Sequence, residues 1–144
     1  MNNHFFTALL LFFFGSIQAQ NTKTMDEKQV KETISAFAVA TDARQTEEAA
    51  RYLDENFRVV LYNFMNSGKV TVITREQYLA MMKEGKVGGQ KREVEFLLTD
   101  INHDAATVKV KLTSDTMEFT NYYSLLRVGG TWKIVNDVPQ IVKL

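Results

Sequence analysis

Near its C-terminus the sequence reads Glu118-Phe-Thr-Asn-Tyr-Tyr-Ser-Leu-Leu-Arg-Val-Gly-Gly-Thr-Trp-Lys-Ile-Val-Asn-Asp-Val138. Two runs rich in aromatic and β-branched residues flank the pair Gly129-Gly130. A two-residue hairpin turn of this kind needs a positive φ at both central positions, which glycine adopts without steric cost. The stretch therefore predicts a β-hairpin.

Strand side chains alternate between two faces, so the hairpin has two distinguishable sides. On the first strand one set shares a face: Phe119, Asn121, Tyr123 and Leu125. On the return strand Trp132, Ile134 and Asn136 share a face in the same way. If these sets point inward, they form a pocket wall of apolar bulk carrying two amides and a phenol. The same alternation places Asp137 on the outer face.

The segments before the hairpin also indicate strands. Clean alternation of apolar residues with threonine and lysine predicts a half-buried strand over 106–113, and a weaker pattern predicts one over 93–98. Earlier, residues 57–64 and 69–73 indicate a strand pair joined by a turn at Asn66-Ser67-Gly68.

Three helices are predicted. Thr24 and Glu27 fit a capping box that opens the first, which carries an apolar stripe at Val30, Ile34, Phe37 and Thr41 and ends at 42–44. Thr46 is predicted to cap a short second helix, and a capping box at Thr74 opens a third. Helices gathered before consecutive strands predict an α+β fold, with the helices on one face of an antiparallel sheet.

The N-terminus predicts export. Residues 5–14 form an apolar run interrupted only by Thr7, and small residues lead to Ala19. This pattern predicts a signal peptide over 1–19, a short extension over 20–24 and a single domain over 25–144. The run is shorter than the roughly 20 residues that a membrane-spanning helix needs. We therefore expect a periplasmic or secreted protein with no integral membrane segment after cleavage.

Composition excludes several function classes. The 17 basic and 17 acidic residues cancel, so no net charge attracts nucleic acid. Without cysteine, and with His103 as the one histidine outside the leader, neither a metal site nor a cofactor is predicted. The glycine-rich loop 85–92 follows a helix and leads into a strand, the reverse of a phosphate-binding loop.

The helical N-terminal third, the Thr74–Met82 helix between strands, and the stretch from Asn121 to Asn136 together resemble the nuclear transport factor 2-like superfamily. Within it, the chain is most similar to the "putative lumazine-binding", SnoaL-like group of exported bacterial proteins. The resemblance covers Asp26 to Val138. It implies a nuclear transport factor 2-like, or cystatin-like, cone: a strongly curved antiparallel sheet wraps a long N-terminal helix, with two shorter helices and an apolar cavity. It also implies a homodimer that pairs through the outer sheet face.

Related enzymes of this superfamily, ketosteroid isomerase and polyketide cyclases, need a carboxylate base or a His-Asp pair inside the cone. This sequence has Asn121 where many relatives carry an acid, and alternation places Asp137 outside. Asp54, at a helix-to-strand junction, is interpreted as a turn residue rather than a group at the cavity mouth. No catalytic residue is predicted, and the sequence favours a non-enzyme.

Three functions remain open at this point. We favour a binder of a small, largely apolar or aromatic ligand, with a filled core as the structural alternative. The candidate cavity residues are Phe37, Tyr62, Asn121, Tyr123, Trp132 and Asn136. An isomerase would require an inward carboxylate with a raised pKa. An interaction module would use an outer sheet face carrying Tyr122, Ser124 and Leu126.

Overall fold

The computed structural model describes the backbone of residues 8–144 and the side chains of residues 22–144. The described elements, in chain order, are α1 (Ala8–Asp42), α2 (Thr46–Tyr52), β1 (Leu53–Tyr62), a 3₁₀ turn (Phe64–Asn66), β2 (Val70–Thr74), α3 (Arg75–Lys83), β3 (Glu93–Asn102), β4 (Ala105–Thr113), β5 (Met117–Val128) and β6 (Thr131–Lys143). This order confirms the prediction of two helices, a strand pair, a helix and four strands.

The six strands form one sheet in the order β2-β1-β6-β5-β4-β3. Four of the five neighbouring pairs are antiparallel, as predicted, but β1 and β6 run parallel. Parallel neighbours require a long crossover, and here the chain from β2 to β5 provides it. The open sheet curves around α1 into a cone-like α+β fold, which confirms the predicted fold class.

The hairpin predicted around Gly129-Gly130 is formed by β5 and β6. Gly129 and Gly130 have φ values of 56° and 79°, as a two-residue turn of the predicted type requires. Every residue of β4 from Ala105 to Thr113 pairs with β5 on the other side. The hairpin therefore lies at the centre of the sheet.

Helix α1 packs its predicted stripe against this sheet. Val30, Ile34, Phe37 and Thr41 are all buried, and the helix ends at Asp42. Its predicted start was wrong, because the helix runs from Ala8 through Thr24 without a break. No proline interrupts the sequence there, so nothing ends the helix between the leader and the domain. Residues 1–7 of the predicted signal peptide lie outside the described residues.

The two other predicted caps had different outcomes. At Thr74 the capping box is present: its hydroxyl accepts from the Gln77 amide at 3.3 Å, and its own amide donates to the Gln77 side chain at 2.9 Å. The cap at Thr46 was wrong, since Gln45 occupies the N-cap position and Thr46 is the first helical residue. Thr46 is buried, so packing sets its place.

Within the described part of the chain, no helix combines the length and apolar character needed to cross a bilayer.

Candidate functional site

A β-bulge in β6 determines which residues face the interior. Ser124 of β5 pairs with Asn136, but the next residue, Leu125, pairs with Ile134. Val135 is therefore an extra residue with no partner of its own on β5. Beyond it, the alternation of β6 is reversed relative to the pattern that begins at Trp132.

This reversal corrects the predicted positions of two residues. Asp137, predicted to be outside, pairs with Tyr123 and is only 6% exposed. Asn136, predicted to line the cavity, pairs with Ser124 and lies on the opposite face from Tyr123. Beside Tyr123, the inward-facing residue of β6 is therefore the carboxyl of Asp137 and not the predicted amide of Asn136.

Asp137 and Asn121 form a buried polar pair. The Asn121 amide nitrogen donates to both carboxyl oxygens of Asp137 at 2.9 Å each. Asn121 is 5% exposed, and its side-chain oxygen Oδ1 has no hydrogen-bond partner among the described residues. The interior therefore presents a carboxyl group beside an unused amide acceptor.

Burial dominates the electrostatics of this pair. Burial raises the pKa of Asp137 from 3.8 to about 7, although the hydrogen bond from Asn121 and the charge of Arg92 both act to lower it. Burial also raises the pKa of Tyr123 well above its usual range and that of Tyr78 to about 12, with the Asp137 charge as the second cause in each. Near neutral pH, Asp137 is thus poised between its acid and its carboxylate.

Aromatic rings surround the pair on the helix side. The ring of Phe37 lies 6.4 Å from those of Phe57 and Tyr123 and 6.1 Å from that of Tyr78. Phe57 and Tyr78 are in edge contact at 5.5 Å. These rings come from α1, β1, β5 and α3, so four elements enclose the carboxyl in an apolar setting.

An ion pair lies at the end of α1 beside this cluster. Asp42 accepts from the Arg92 side chain at 2.6 Å and from the Arg92 backbone amide at 2.9 Å. Both side chains are largely buried, and the guanidinium carbon of Arg92 lies 5.4 Å from the ring centre of Phe119. The Arg92 charge lowers the pKa of Asp137, Tyr123 and Tyr78, so it acts on the same interior.

Of the predicted cavity residues, Phe37, Asn121 and Tyr123 are buried together around Asp137. Trp132 is buried elsewhere: it pairs with Arg127, four residues along β5 from Tyr123, or about 13 Å. The guanidinium of Arg127 stacks on its indole at 4.8 Å. Trp132 therefore belongs to the other end of the sheet.

Tyr62 does not face the interior. It is 69% exposed, because alternation along β1 buries Leu61 and Val59 instead. Asp54 is the second residue of β1, and its carboxylate accepts from the backbone amide of Asn56 in the same strand at 2.9 Å.

Asp137, Arg92 and Tyr78 were not among the predicted site residues. For Asp137 the sequence does carry a signal: the adjacent apolar pair Ile134-Val135 breaks the alternation, as a bulge does. Nothing local identifies Arg92, because its contacts with Asp42 span 50 residues.

The described residues contain no group of three or more histidine or acidic side chains arranged to hold a metal ion.

A family model described as "Putative lumazine-binding" matches residues 25–138. The chain belongs to this family. The match covers most of the sequence, including β3, β4, β5 and the first part of β6, with Asn121 and Asp137 inside it. No curated protein matches the chain.

Solved structures place the family member in the nuclear transport factor 2-like fold. A protein of unknown function from Silicibacter pomeroyi, described as NTF-2 like, has a TM-score of 0.72 at 16% identity, over 83% of this chain and 98% of that one. An NTF2-like protein from Shewanella baltica gives 0.72 at 14% identity, covering 83% and 95%. A cystatin-like protein from Nostoc punctiforme gives 0.68 at 12% identity, covering 82% and 92%. At these identities the likeness establishes the fold alone.

Proposed function

We propose that the protein binds a small, flat, largely apolar ligand inside the cone, next to Asn121 and Asp137, without chemical change. The supporting observation is the buried, unused carbonyl oxygen of Asn121 beside a carboxyl group that can carry a proton near pH 7. A buried acceptor without a partner costs roughly 1–3 kcal/mol, which a ligand N–H or O–H would offset.

The surroundings match such a ligand. The rings of Phe37 and Tyr123 provide apolar area, and Asn121 and Asp137 provide one acceptor and one group able to donate or accept. Tyr78 and Arg92 are partly exposed, so the proposed route from solvent passes between them. Lumazine, the compound in the family description, is a flat nitrogen heterocycle with N–H and C=O groups on its edge, and this chemistry suits the pair.

The test is thermal unfolding with two flat probes, lumazine and 2-naphthol. A probe at 100 times its Kd would stabilise the folded state by about 2.7 kcal/mol. We expect at least one probe to raise the unfolding midpoint of the wild type and of the Asp100→Asn control, which changes an exposed carboxylate on β3. Asp137→Asn should weaken the shift with lumazine more than with naphthol. No shift with either probe would contradict ligand binding.

A second candidate function is acid–base catalysis, and a specific observation favours it. Asp137 is an inward carboxyl with a pKa of about 7, close to the neutral pH at which a general base is most effective. Tyr123 and Tyr78 remain protonated at neutral pH and would supply hydrogen-bond donors for an enolate.

The catalytic alternative is tested by following conversion of a β,γ-unsaturated cyclic ketone to its conjugated isomer by ultraviolet absorbance. Catalysis by Asp137 would fall by a factor of about 100 or more in Asp137→Asn and remain in Asp100→Asn. Equal rates in both variants would remove Asp137 from any such reaction.

We also propose that the protein is exported and cleaved after Ala19, which rests on the composition of the leader. The intact mass of protein recovered from the periplasm or medium should correspond to a chain beginning at Gln20. Recovery of the full-length mass from the membrane fraction would contradict cleavage.

A homodimer through the outer sheet face is proposed from the family resemblance. Tyr122 and Leu126 are 42% and 44% exposed on that face. Sedimentation analysis should give twice the monomer mass for the wild type and the monomer mass for Leu126→Lys. A monomeric wild type would contradict it.

A further inference from the structure

Within residues 22–144, the hydrogen bonds that Arg92 donates all go to one residue, Asp42. The backbone amide and the Nε atom of Arg92 occupy both carboxylate oxygens of Asp42, the last residue of α1. A carboxylate at a helix C-terminus is unfavourable, because the helix dipole is negative there. The contact with Arg92 offsets this repulsion and fixes the guanidinium in one orientation.

The opposite side of the guanidinium is unused. Neither terminal nitrogen of Arg92 has a hydrogen-bond partner among the described residues, and neither is sealed from solvent. The side chain as a whole is 13% exposed. An oriented guanidinium with a free edge presents two parallel N–H donors, the geometry that matches a carboxylate.

The guanidinium of Arg92 lies near the interior that contains Asp137, because its charge acts on the pKa of that carboxyl. Arg92 lies over the ring of Phe119, and Phe119 is two residues from Asn121 on the same face of β5. That separation is about 7 Å along a strand. This separation is comparable to the length of a naphthalene-sized molecule.

The charges at this end of the cone also admit an anion. Asp42 and Arg92 compensate each other, and the tyrosines Tyr78 and Tyr123 are neutral at neutral pH. Asp137 adds a negative charge only when it is ionised, and its preference is for the acid form below about pH 7. An incoming carboxylate then meets the free N–H donors of Arg92 while Asp137 is mainly protonated.

We propose that the ligand is a flat aromatic molecule carrying one carboxylate-like anionic group, which the free edge of Arg92 binds while the ring extends over Phe119 towards Asn121 and Asp137. This inference rests on the proposed binding function and names the chemical class of its ligand. Asp42 then acts as a positioning residue that aims Arg92. The structural alternative is that Arg92 only joins the start of β3 to the end of α1.

The test compares 2-naphthoate with its neutral isostere 2-naphthamide by calorimetry at pH 6.5. The two probes share the ring and differ in charge. We expect the wild type to prefer the naphthoate by about tenfold or more, because hydrogen bonds between charged groups exceed neutral ones by this order. Arg92→Gln should abolish the preference, and Lys91→Gln, which removes an exposed neighbouring cation, should retain it.

The Arg92→Lys variant separates loss of the anion site from loss of the fold, because lysine keeps the positive charge beside Asp42 but lacks the two parallel N–H donors. Its far-ultraviolet circular dichroism should match the wild type, and its preference for the naphthoate should fall by severalfold. Equal affinities for both probes in the wild type, or a preference that survives Arg92→Gln, would overturn the anion site while leaving ligand binding intact. Absence of binding by either probe would overturn both proposals.

Discussion

Asp137 occupies an environment very different from that of a free side chain. Its carboxyl group is 6% exposed, is bonded to an amide rather than to a cation, and lies among aromatic rings. The ionised carboxylate loses the stabilisation that water provides. The hydrogen bond from Asn121 and the charge of the more distant Arg92 replace only part of it. The acid form carries no charge that burial would penalise, and it still accepts a hydrogen bond from the Asn121 side-chain amide.

The resulting dependence of stability on pH has a definite sign. The folded pKa of Asp137 is about 7, against an ordinary value of 3.8. Between these values the folded state retains a proton that the unfolded chain has released. The contribution of this group to stability therefore falls as the pH rises through that range, by roughly 4 kcal/mol in total, and is constant above it.

Asp137→Asn should remove this slope and stabilise the protein at pH 8 relative to the wild type. Urea unfolding from pH 4 to pH 8 measures the effect, and the exposed Asp100→Asn serves as the control that keeps the wild-type slope. A wild-type slope no steeper than that of Asp137→Asn would show that the carboxyl is solvated.

Among the elements, the bulge in β6 has the largest consequence for the site. Because Val135 is the extra residue, deleting it leaves Ile134 and Asp137 two positions apart on the same face. Deleting Lys133 instead would turn Trp132 away from the core. We expect the Val135 deletion to cost about 1–2 kcal/mol and the Lys133 deletion about 3–5 kcal/mol, the range for losing a buried tryptophan. Urea unfolding compares the two, and a larger loss for the Val135 deletion would contradict the bulge assignment.

The loop between α3 and β3 is fixed by close backbone contact. Arg44 donates to the carbonyl oxygens of Gly85 and Gly88 at 2.9 and 3.2 Å, and a Cβ atom at Gly88 would overlap the Thr41 carbonyl oxygen. Gly68 has a similar positive φ but open space around it.

Gly68→Ala should therefore cost about 1 kcal/mol through backbone strain alone. Gly88→Ala should cost at least about 2 kcal/mol more, because the end of α1 and the loop must separate. Differential scanning calorimetry of the two variants provides the comparison. Equal midpoints would mean that the loop is not seated on α1.

Two local signals predicted their elements correctly, whereas the caps predicted at Thr24 and Thr46 were wrong. The Gly129-Gly130 turn and the Thr74 capping box each depend on residues within three positions of one another, and both are present. The site was predictable only in part. Its buried aromatic residues follow from periodicity, whereas Asp137 depends on a one-residue bulge and Arg92 on a contact with α1 that sequence spacing does not reveal.

At the scale of the molecule, α1 packs on the sheet, and Val30 is the first buried residue among those whose side chains are described. Asp26 forms an ion pair with Arg127 of β5 at 2.7 Å, which joins the helix to the sheet near this point. Residues 22–25 are exposed. The boundary at residue 25 remains a prediction, which truncation of the chain tests.

The free energy of unfolding of a chain comprising residues 25–144 should therefore lie within about 0.5 kcal/mol of that of a chain comprising residues 20–144. A chain comprising residues 31–144 lacks Asp26 and Val30 and should lose about 2 kcal/mol or more. Urea denaturation of the three chains tests the boundary. A large loss on removing residues 20–24 would place the boundary earlier.

The ionisation of Asp137 is the most direct test of the whole account, because the bulge, the burial and the ligand site all meet at this carboxyl group. Carbon-13 NMR of the aspartate carboxyl resonances, with Asp137→Asn to assign the signal, follows its titration in the full domain. We expect a midpoint at about pH 7. A midpoint near pH 4 would mean that Asp137 faces solvent, and would contradict the proposed site.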